Sequence, residues 1–335
     1  MYNFADLKNN TIYMDILIQS LILAGGLVMI LFGANYLVDG ASSIAKKFGI
    51  SEFIIGLTIV GIGTSTPEMV VSYMSAFNGS TDLAIGNVVG SNILNTLLIL
   101  GITALISPLA ITRDNLRKDI PLNIAVTILL ILLGLNKTFF GVGENTLSRL
   151  DGMVLLAIFV WYFISSFKSG KGSDGQDGEE GIVERKIWVS ALMIAGGLAG
   201  LVIGGRLFVD SATSLAKILG ISEKFIAITI VAAGTSMPEL ATSIVAAVKG
   251  KGQLALGNVL GSNIFNILLI LGGSALIQPL SFASMTAVDL GIVLLCTVFI
   301  LLSAFLFKKK ELDRVEGALF ILMEAGYMWF LISNL

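Results

Sequence analysis

Histidine is absent from this chain, which removes the commonest metal ligand and the commonest general base. The donors that remain are carboxylates, hydroxyls, amides and backbone carbonyls. They suit hard cations such as Na⁺, K⁺, Mg²⁺ or Ca²⁺. Cysteine occurs once, at Cys296, so there is no internal disulfide framework and the thiol reads as packing. Charge is scarce, at 13% of residues against about 25% in a soluble domain. The net charge of −2 excludes a nucleic-acid binder on electrostatic grounds. No Ser-Lys or paired-Asp constellation falls in an apolar segment, so an enzyme is not expected. Nor is a cleavable secretory signal: the first apolar stretch is too long and more follow.

What is there is apolar sequence. Hydrophobic residues make up 55% of the 335, spread over the whole length. Reading apolar runs against polar breaks predicts an all-α integral membrane protein with ten transmembrane helices, at 16–45, 54–78, 82–106, 120–136, 151–167, 187–217, 225–248, 253–277, 286–307 and 315–333. The first and sixth exceed a perpendicular span and should tilt. Alternate loops divide the basic residues unequally, 15 on one side and 5 on the other. Because Lys and Arg stay cytoplasmic, both termini are expected outside, in a multi-pass protein of the cell membrane. Residues 168–186, rich in Gly, Ser and acidic side chains, read as a flexible cytoplasmic linker.

The strongest signal is an internal repeat. Residues 35–111 align without a gap on 206–282, at a constant offset of 171, with 42 of 77 positions identical. The densest matches are GTSTPE (63–68) with GTSMPE (234–239), and GNVVGSN (86–92) with GNVLGSN (257–263). Five spans separate equivalent helices, and five is odd, so the second copy should lie upside down in the membrane. That divides the chain into a first repeat of five helices (1–167), the linker, and a second, inverted repeat (187–335). Inverted repeats mark secondary transporters, with the ion site near the midplane where the copies meet.

The motif residues suit that site. Pro67 and Pro238 lack the amide N–H, so each helix should kink and release carbonyls, near Gly61 and Ala232. Thr64 and Glu68 are four apart, on one helix face, as are Thr235 and Glu239. A carboxylate in mid-membrane costs about 2.5–3.5 kcal/mol, and no basic residue is expected at that depth to pair with Glu68 or Glu239. Cations or protons remain as partners. Ser91 with Asn95, and Ser262 with Asn266, share faces on the following helices and read as further ligands. Asn87, Asn92, Asn258 and Asn263 also recur and are open to packing or supporting roles. Asp39 and Asp210 read as caps or gating contacts. Glu324 has no carboxylate counterpart in the fifth span.

These motifs resemble the sodium/calcium exchangers of the calcium/cation antiporter superfamily, in their compact prokaryotic form. The resemblance covers nearly the whole chain. It implies ion sites between helices two, three, seven and eight. Glu68 and Glu239 would bind Ca²⁺ and share Na⁺ sites. Thr64, Ser65, Ser91 and Asn95 would serve as ligands from one repeat, and Thr235, Ser236, Ser262 and Asn266 from the other. It further implies Na⁺ and Ca²⁺ as transported ligands, the bilayer as surroundings, and neither a covalently bound cofactor nor an obligate protein partner. Three Na⁺ for one Ca²⁺ would move one net charge per cycle. Potassium-dependent relatives generally carry Asp where this chain has Asn266, which points to K⁺-independent exchange. Proton-coupled relatives usually carry Asn in place of the Thr-Ser pair. A passive channel would predict a continuous pore and symmetry between subunits rather than within one chain.

Overall fold

A computed structural model describes residues 4–141, 144–169, 184–221, 232–283, 285–306 and 310–333. Helices dominate it. Six of those described are long and apolar enough to cross a membrane, and a bent pair makes a seventh. Other segments form shorter helices; residues 222–231, which include 225–231 of the seventh expected span, and 170–183 of the linker lie outside the described residues.

Two long helices, α1 (Phe4–Phe48) and α7 (Ile187–Ile218), pack along each other. Thirty-two residues rise about 48 Å, more than the ~30 Å hydrocarbon core. Glycine makes their approach possible. A Cβ on Gly33 would sit 2.8 Å from the Gly197 carbonyl oxygen, and one on Gly197 would sit 2.7 Å from that of Gly33. The two backbones therefore touch directly, as small residues permit between membrane helices.

Beside this pair lie the motif helices. The first is broken: α2 (Glu52–Thr64) and α3 (Thr66–Phe77) meet at 46°. Ser65, at φ −78° and ψ 8°, occupies the break, and Pro67 is the second residue of α3. The second repeat does the same at Ser236 (φ −87°, ψ 7°), between α8 (Ala232–Thr235) and α9 (Met237–Val248). The kinks expected from Pro67 and Pro238 are present. The following helices, α4 (Thr81–Ile106) and α10 (Gly252–Ile277), each change to π-helical winding at the predicted amide, over Asn95–Ile99 and Asn266–Leu271. π-Helical turns often accompany functional sites.

The remaining helices are α5 (Ile120–Gly134), α6 (Arg149–Ser169), α11 (Ala287–Leu306) and α12 (Arg314–Ser333). Tyr162 of α6 donates to Asp119 at 3.0 Å, and Tyr327 of α12 donates to Asp289 at 2.8 Å. The first pair ties the residue just before α5 to α6, and the second ties α11 to α12.

The architecture is all-α, with short strands only in its loops among the described residues. Four two-residue strands occur, β1 (Leu109–Ala110), β2 (Thr146–Leu147), β3 (Leu280–Ser281) and β4 (Glu311–Leu312). Strand β1 pairs antiparallel with β4, and β2 with β3, so each pair joins a loop of one repeat to a loop of the other.

Candidate functional site

Glu68 and Glu239 each follow a motif proline by one residue, in the first turn of α3 and α9. Both are completely buried. Each carboxylate is held by a hydroxyl of the opposite repeat: Ser65 donates to Glu239 Oε1 at 2.9 Å, and Ser236 donates to Glu68 Oε1 at 3.1 Å. Ser262 adds a longer contact to Glu239 Oε1, at 3.5 Å. The second oxygen of each, Glu68 Oε2 and Glu239 Oε2, is buried without a hydrogen bond.

The helix breaks turn these side chains inward. Thr64 does not turn to Glu68, with which it was expected to share a face. It donates to Asn258 Oδ1 at 3.1 Å. Asn258 in turn donates to the Glu239 carbonyl at 3.4 Å and to Ser243 at 3.0 Å. Asn87 makes the matching bonds to the Glu68 carbonyl, 3.2 Å, and to Ser72, 3.0 Å. These two asparagines therefore splint α4 to α3 and α10 to α9 just where the carboxylates sit. Thr235 Oγ1 is buried beside the Glu68 carboxylate without a hydrogen bond of ordinary geometry. The expectation of a free carbonyl at Gly61 is not met: its oxygen accepts from the Ser65 N–H at 3.1 Å, from Thr64 at 3.3 Å and from Ser262 at 3.4 Å. The amide that Pro67 lacks would have served the Gly63 carbonyl, four residues back, and the Gly61 carbonyl keeps its own helical donor, the Ser65 N–H. Ala232 is the first residue of α8.

Asn95 and Asn266 are completely buried, and each starts a π-helical turn. Their Oδ1 atoms carry no hydrogen bond. Ser91 is also buried, one turn before Asn95 on the same helix. All ten sequence-predicted residues thus lie buried or half-buried on the broken helices and on α4 and α10. Spacing did not reveal which hydroxyl would meet which carboxylate.

Chemically, five buried oxygens lack donors: two carboxylate, two amide and one hydroxyl. An unsatisfied buried acceptor costs about 1–3 kcal/mol. No ion pair found among the described residues reaches Glu68 or Glu239. Two buried carboxylates without a basic partner need a cation or proton to compensate them. An all-oxygen set is the donor chemistry of hard cations.

The two ends of this site differ. On the second repeat, Asn258 and Gly261 are fully buried; their counterparts Asn87 and Gly90 are half-buried and exposed. The site is covered on the side of the α9–α10 turn and more open on the side of the α3–α4 turn.

The sequence matches the family profile described as sodium/calcium exchanger protein over residues 18–168 and 189–333. It is 37% identical over 326 residues to a putative antiporter, CaxA, of Alkalimonas amylolytica, covering 95% of this chain and all of that one. It is 36% identical to the sodium/calcium exchanger MaX1 of Methanosarcina acetivorans, across 93% of this chain and 98% of the relative. Among solved structures, the sodium-calcium exchanger NCX_Mj superposes with a TM-score of 0.81 at 31% identity, covering 94% of this chain and 99% of that one.

Proposed function

From a chain that belongs to the sodium/calcium exchanger protein family, we propose a secondary active antiporter that exchanges Na⁺ for Ca²⁺ across the membrane by alternating access. Ten helices in two inverted repeats of five form it. The observation that carries this reading is the reciprocal arrangement of Ser65 with Glu239 and Ser236 with Glu68, which leaves one buried oxygen of each carboxylate without a hydrogen bond, as the buried amide oxygens of Asn95 and Asn266 also are.

Charge balance gives the mechanism. Two ionised glutamates carry −2 and neutralise one Ca²⁺, which takes about six to eight oxygens. Thr64, Ser65, Ser91, Thr235, Ser236 and Ser262 complete the donor set with the two amides. Sodium ions compete for the same oxygens. Displacing one Ca²⁺ by three Na⁺ moves one net charge, on which the membrane potential acts with about 2.3 kcal/mol per 100 mV. With only two carboxylates and a neutral Asn266, the exchange is independent of K⁺.

Access alternates as α1 and α7 slide across the motif helices on their glycine contact. The better-covered side, at the α9–α10 turn, is the cytoplasmic one by the distribution of basic residues. The arrangement described is therefore open outward. Residues 168–186 link the repeats in the cytoplasm.

The test is ⁴⁵Ca²⁺ uptake into proteoliposomes with and without an outward Na⁺ gradient. Gradient-dependent uptake is expected, accelerated when the lumen is positive, because each cycle carries one net positive charge out of it. Uptake that follows a proton gradient, or that proceeds as passive leak without Na⁺, overturns the proposal.

A further inference from the structure

Four asparagines and one threonine form a buried chain of hydrogen bonds across the contact between α4 and α10. Asn266 donates through Nδ2 to Asn92 Oδ1 at 2.9 Å, and Asn92 donates through its own Nδ2 to the Asn263 backbone carbonyl at 3.1 Å. Asn95 donates to Asn263 Oδ1 at 3.2 Å, and Asn263 donates to Thr96 Oγ1 at 2.9 Å. All five residues are buried, at 3% exposure or less.

A carboxamide has a donor end and an acceptor end, and a half-turn about its last torsion exchanges them. At Asn95 and Asn266 this choice decides what faces the site. Oxygen inward offers a cation a ligand; nitrogen inward repels it. A backbone carbonyl can only accept. The Asn263 carbonyl therefore fixes Asn92 with its nitrogen outward, and the Asn92 oxygen that results can only receive the Asn266 nitrogen. The Asn266 oxygen is left facing away from the chain of bonds, unpaired, as observed. Asn263 likewise receives the Asn95 nitrogen through its oxygen, but its own nitrogen goes to the Thr96 hydroxyl, which can donate as well as accept and so fixes the amide less strictly than a carbonyl. The second repeat has Ile267 at the position equivalent to Thr96, so the two arms are not copies.

We infer that Asn92 and Asn263 are positioning residues for ion exchange: each holds the ligand carboxamide of the opposite repeat, Asn266 or Asn95, with its oxygen turned toward the ions. This rests on the exchanger reading above. The two asparagines bind no ion themselves and act through a partner on the other helix, so each repeat orients a ligand of the other.

The experiment is a double-variant cycle on Na⁺-driven ⁴⁵Ca²⁺ uptake in proteoliposomes, reading half-saturating ion concentrations separately from maximum rate. Asn92→Ala should raise half-saturating Ca²⁺ and Na⁺ about fivefold, the size of one buried hydrogen bond, with the maximum rate changed less than about twofold. In an Asn266→Ala background the same substitution should add nothing, because the group it orients has gone. Effects that multiply independently would mark Asn92 as packing and overturn the inference. If Asn92→Ala does not accumulate as folded protein, Thr96→Val decides on the other arm. It keeps the shape and brings an aliphatic side chain like that of Ile267. It should weaken ion binding in the wild-type background and be silent with Asn95→Ala; independent effects there overturn the inference too. Wild-type protein that lacks Na⁺-driven uptake altogether refutes the exchanger reading instead, so the two failures are distinguishable.

Discussion

Lys249, in the turn between α9 and α10, donates to Asp39 of α1 at 2.6 Å, while the residue equivalent to it by the repeat, Asn78, carries no charge. Asp210, the counterpart of Asp39, pairs instead with Arg206 on its own helix at 3.7 Å. A second ion pair, Lys251 with Glu52 at 3.5 Å, joins the same turn to the start of α2. These two ion pairs fasten the side on which the site is covered. Burial lowers the Lys251 pKa, outweighing the opposite pull of Glu52 and Asp39.

Breaking the Asp39–Lys249 pair should therefore favour opening on that side. The two side chains are 39% and 27% exposed, so water and salt screen the pair and the effect is modest. Asp39→Asn is expected to lower half-saturating Ca²⁺ about two- to threefold from the side of the α9–α10 turn and raise it from the other. Flux into oriented vesicles from each face measures this, and exchanging the charges with Asp39→Lys and Lys249→Asp should restore the wild-type values. Alkali should act in the same direction. With its pKa below the free-lysine value of about 10.4, Lys251 loses its charge as pH rises, ahead of surface lysines, and its bond to Glu52 weakens with it.

Glu68→Gln and Glu239→Gln should each abolish Na⁺-driven Ca²⁺ uptake. Glutamine keeps the size and an acceptor oxygen for the hydroxyl of the opposite repeat, but it removes half the charge available to a divalent ion. Folding should survive, since a neutral amide is cheaper in mid-membrane than a carboxylate. Monodisperse protein without transport is the expected outcome; exchange at the wild-type rate in either variant removes that residue from the site.

The two serines should not be equivalent. Glu239 Oε1 receives Ser65 and, more distantly, Ser262, whereas Glu68 Oε1 receives Ser236 and no corresponding bond from Ser91 is found. Ser236→Ala leaves the buried Glu68 carboxylate with only the Thr235 hydroxyl beside it, at a cost of about 1.5–3 kcal/mol for the bond lost to a charged group. It should weaken Ca²⁺ binding tenfold or more, while Ser65→Ala, with Ser262 in reserve, should cost less. Isothermal Ca²⁺ titration of the two variants in detergent gives the ranking.

How far the sequence reaches is visible in these same residues. Proline chemistry forecast the breaks beside Pro67 and Pro238, and the repeat forecast that whatever Glu68 does, Glu239 does as well. Helical spacing then assigned Thr64 to the face of Glu68. That assumed a continuous helix, and at Ser65 the axis bends by 46°. Spacing also says which residues share a face but not which faces meet, so the crossing of Ser65 to Glu239 was not legible. No local propensity signals the shift to π-helical winding at Asn95 and Asn266. The paired strands join loops more than 130 residues apart, beyond the reach of any local pattern.

Potassium gives the sharpest test of ion choice, because it turns on one atom. The Asn266 nitrogen donates to Asn92 Oδ1, an oxygen that cannot itself donate. The resemblance places Asp here in potassium-dependent exchangers, and a third carboxylate would offer charge to offset the dehydration of another monovalent cation. The Asn266 amide offers an oxygen without that charge. Na⁺-driven ⁴⁵Ca²⁺ uptake should therefore be unchanged when choline replaces K⁺ on both sides of the membrane; uptake that stops would refute the argument from Asn266. Asn266→Asp should then introduce a conflict, since an ionised carboxylate would face the Asn92 oxygen across 2.9 Å with no hydrogen between them. Taking up a proton restores the bond. The variant is expected to show a pH dependence of transport steeper than that of the wild type with its two carboxylates, and uptake of both measured from about pH 6 to pH 9 would show it. Combining it with Asn92→Ala removes the opposing oxygen, and the pH dependence should shrink accordingly.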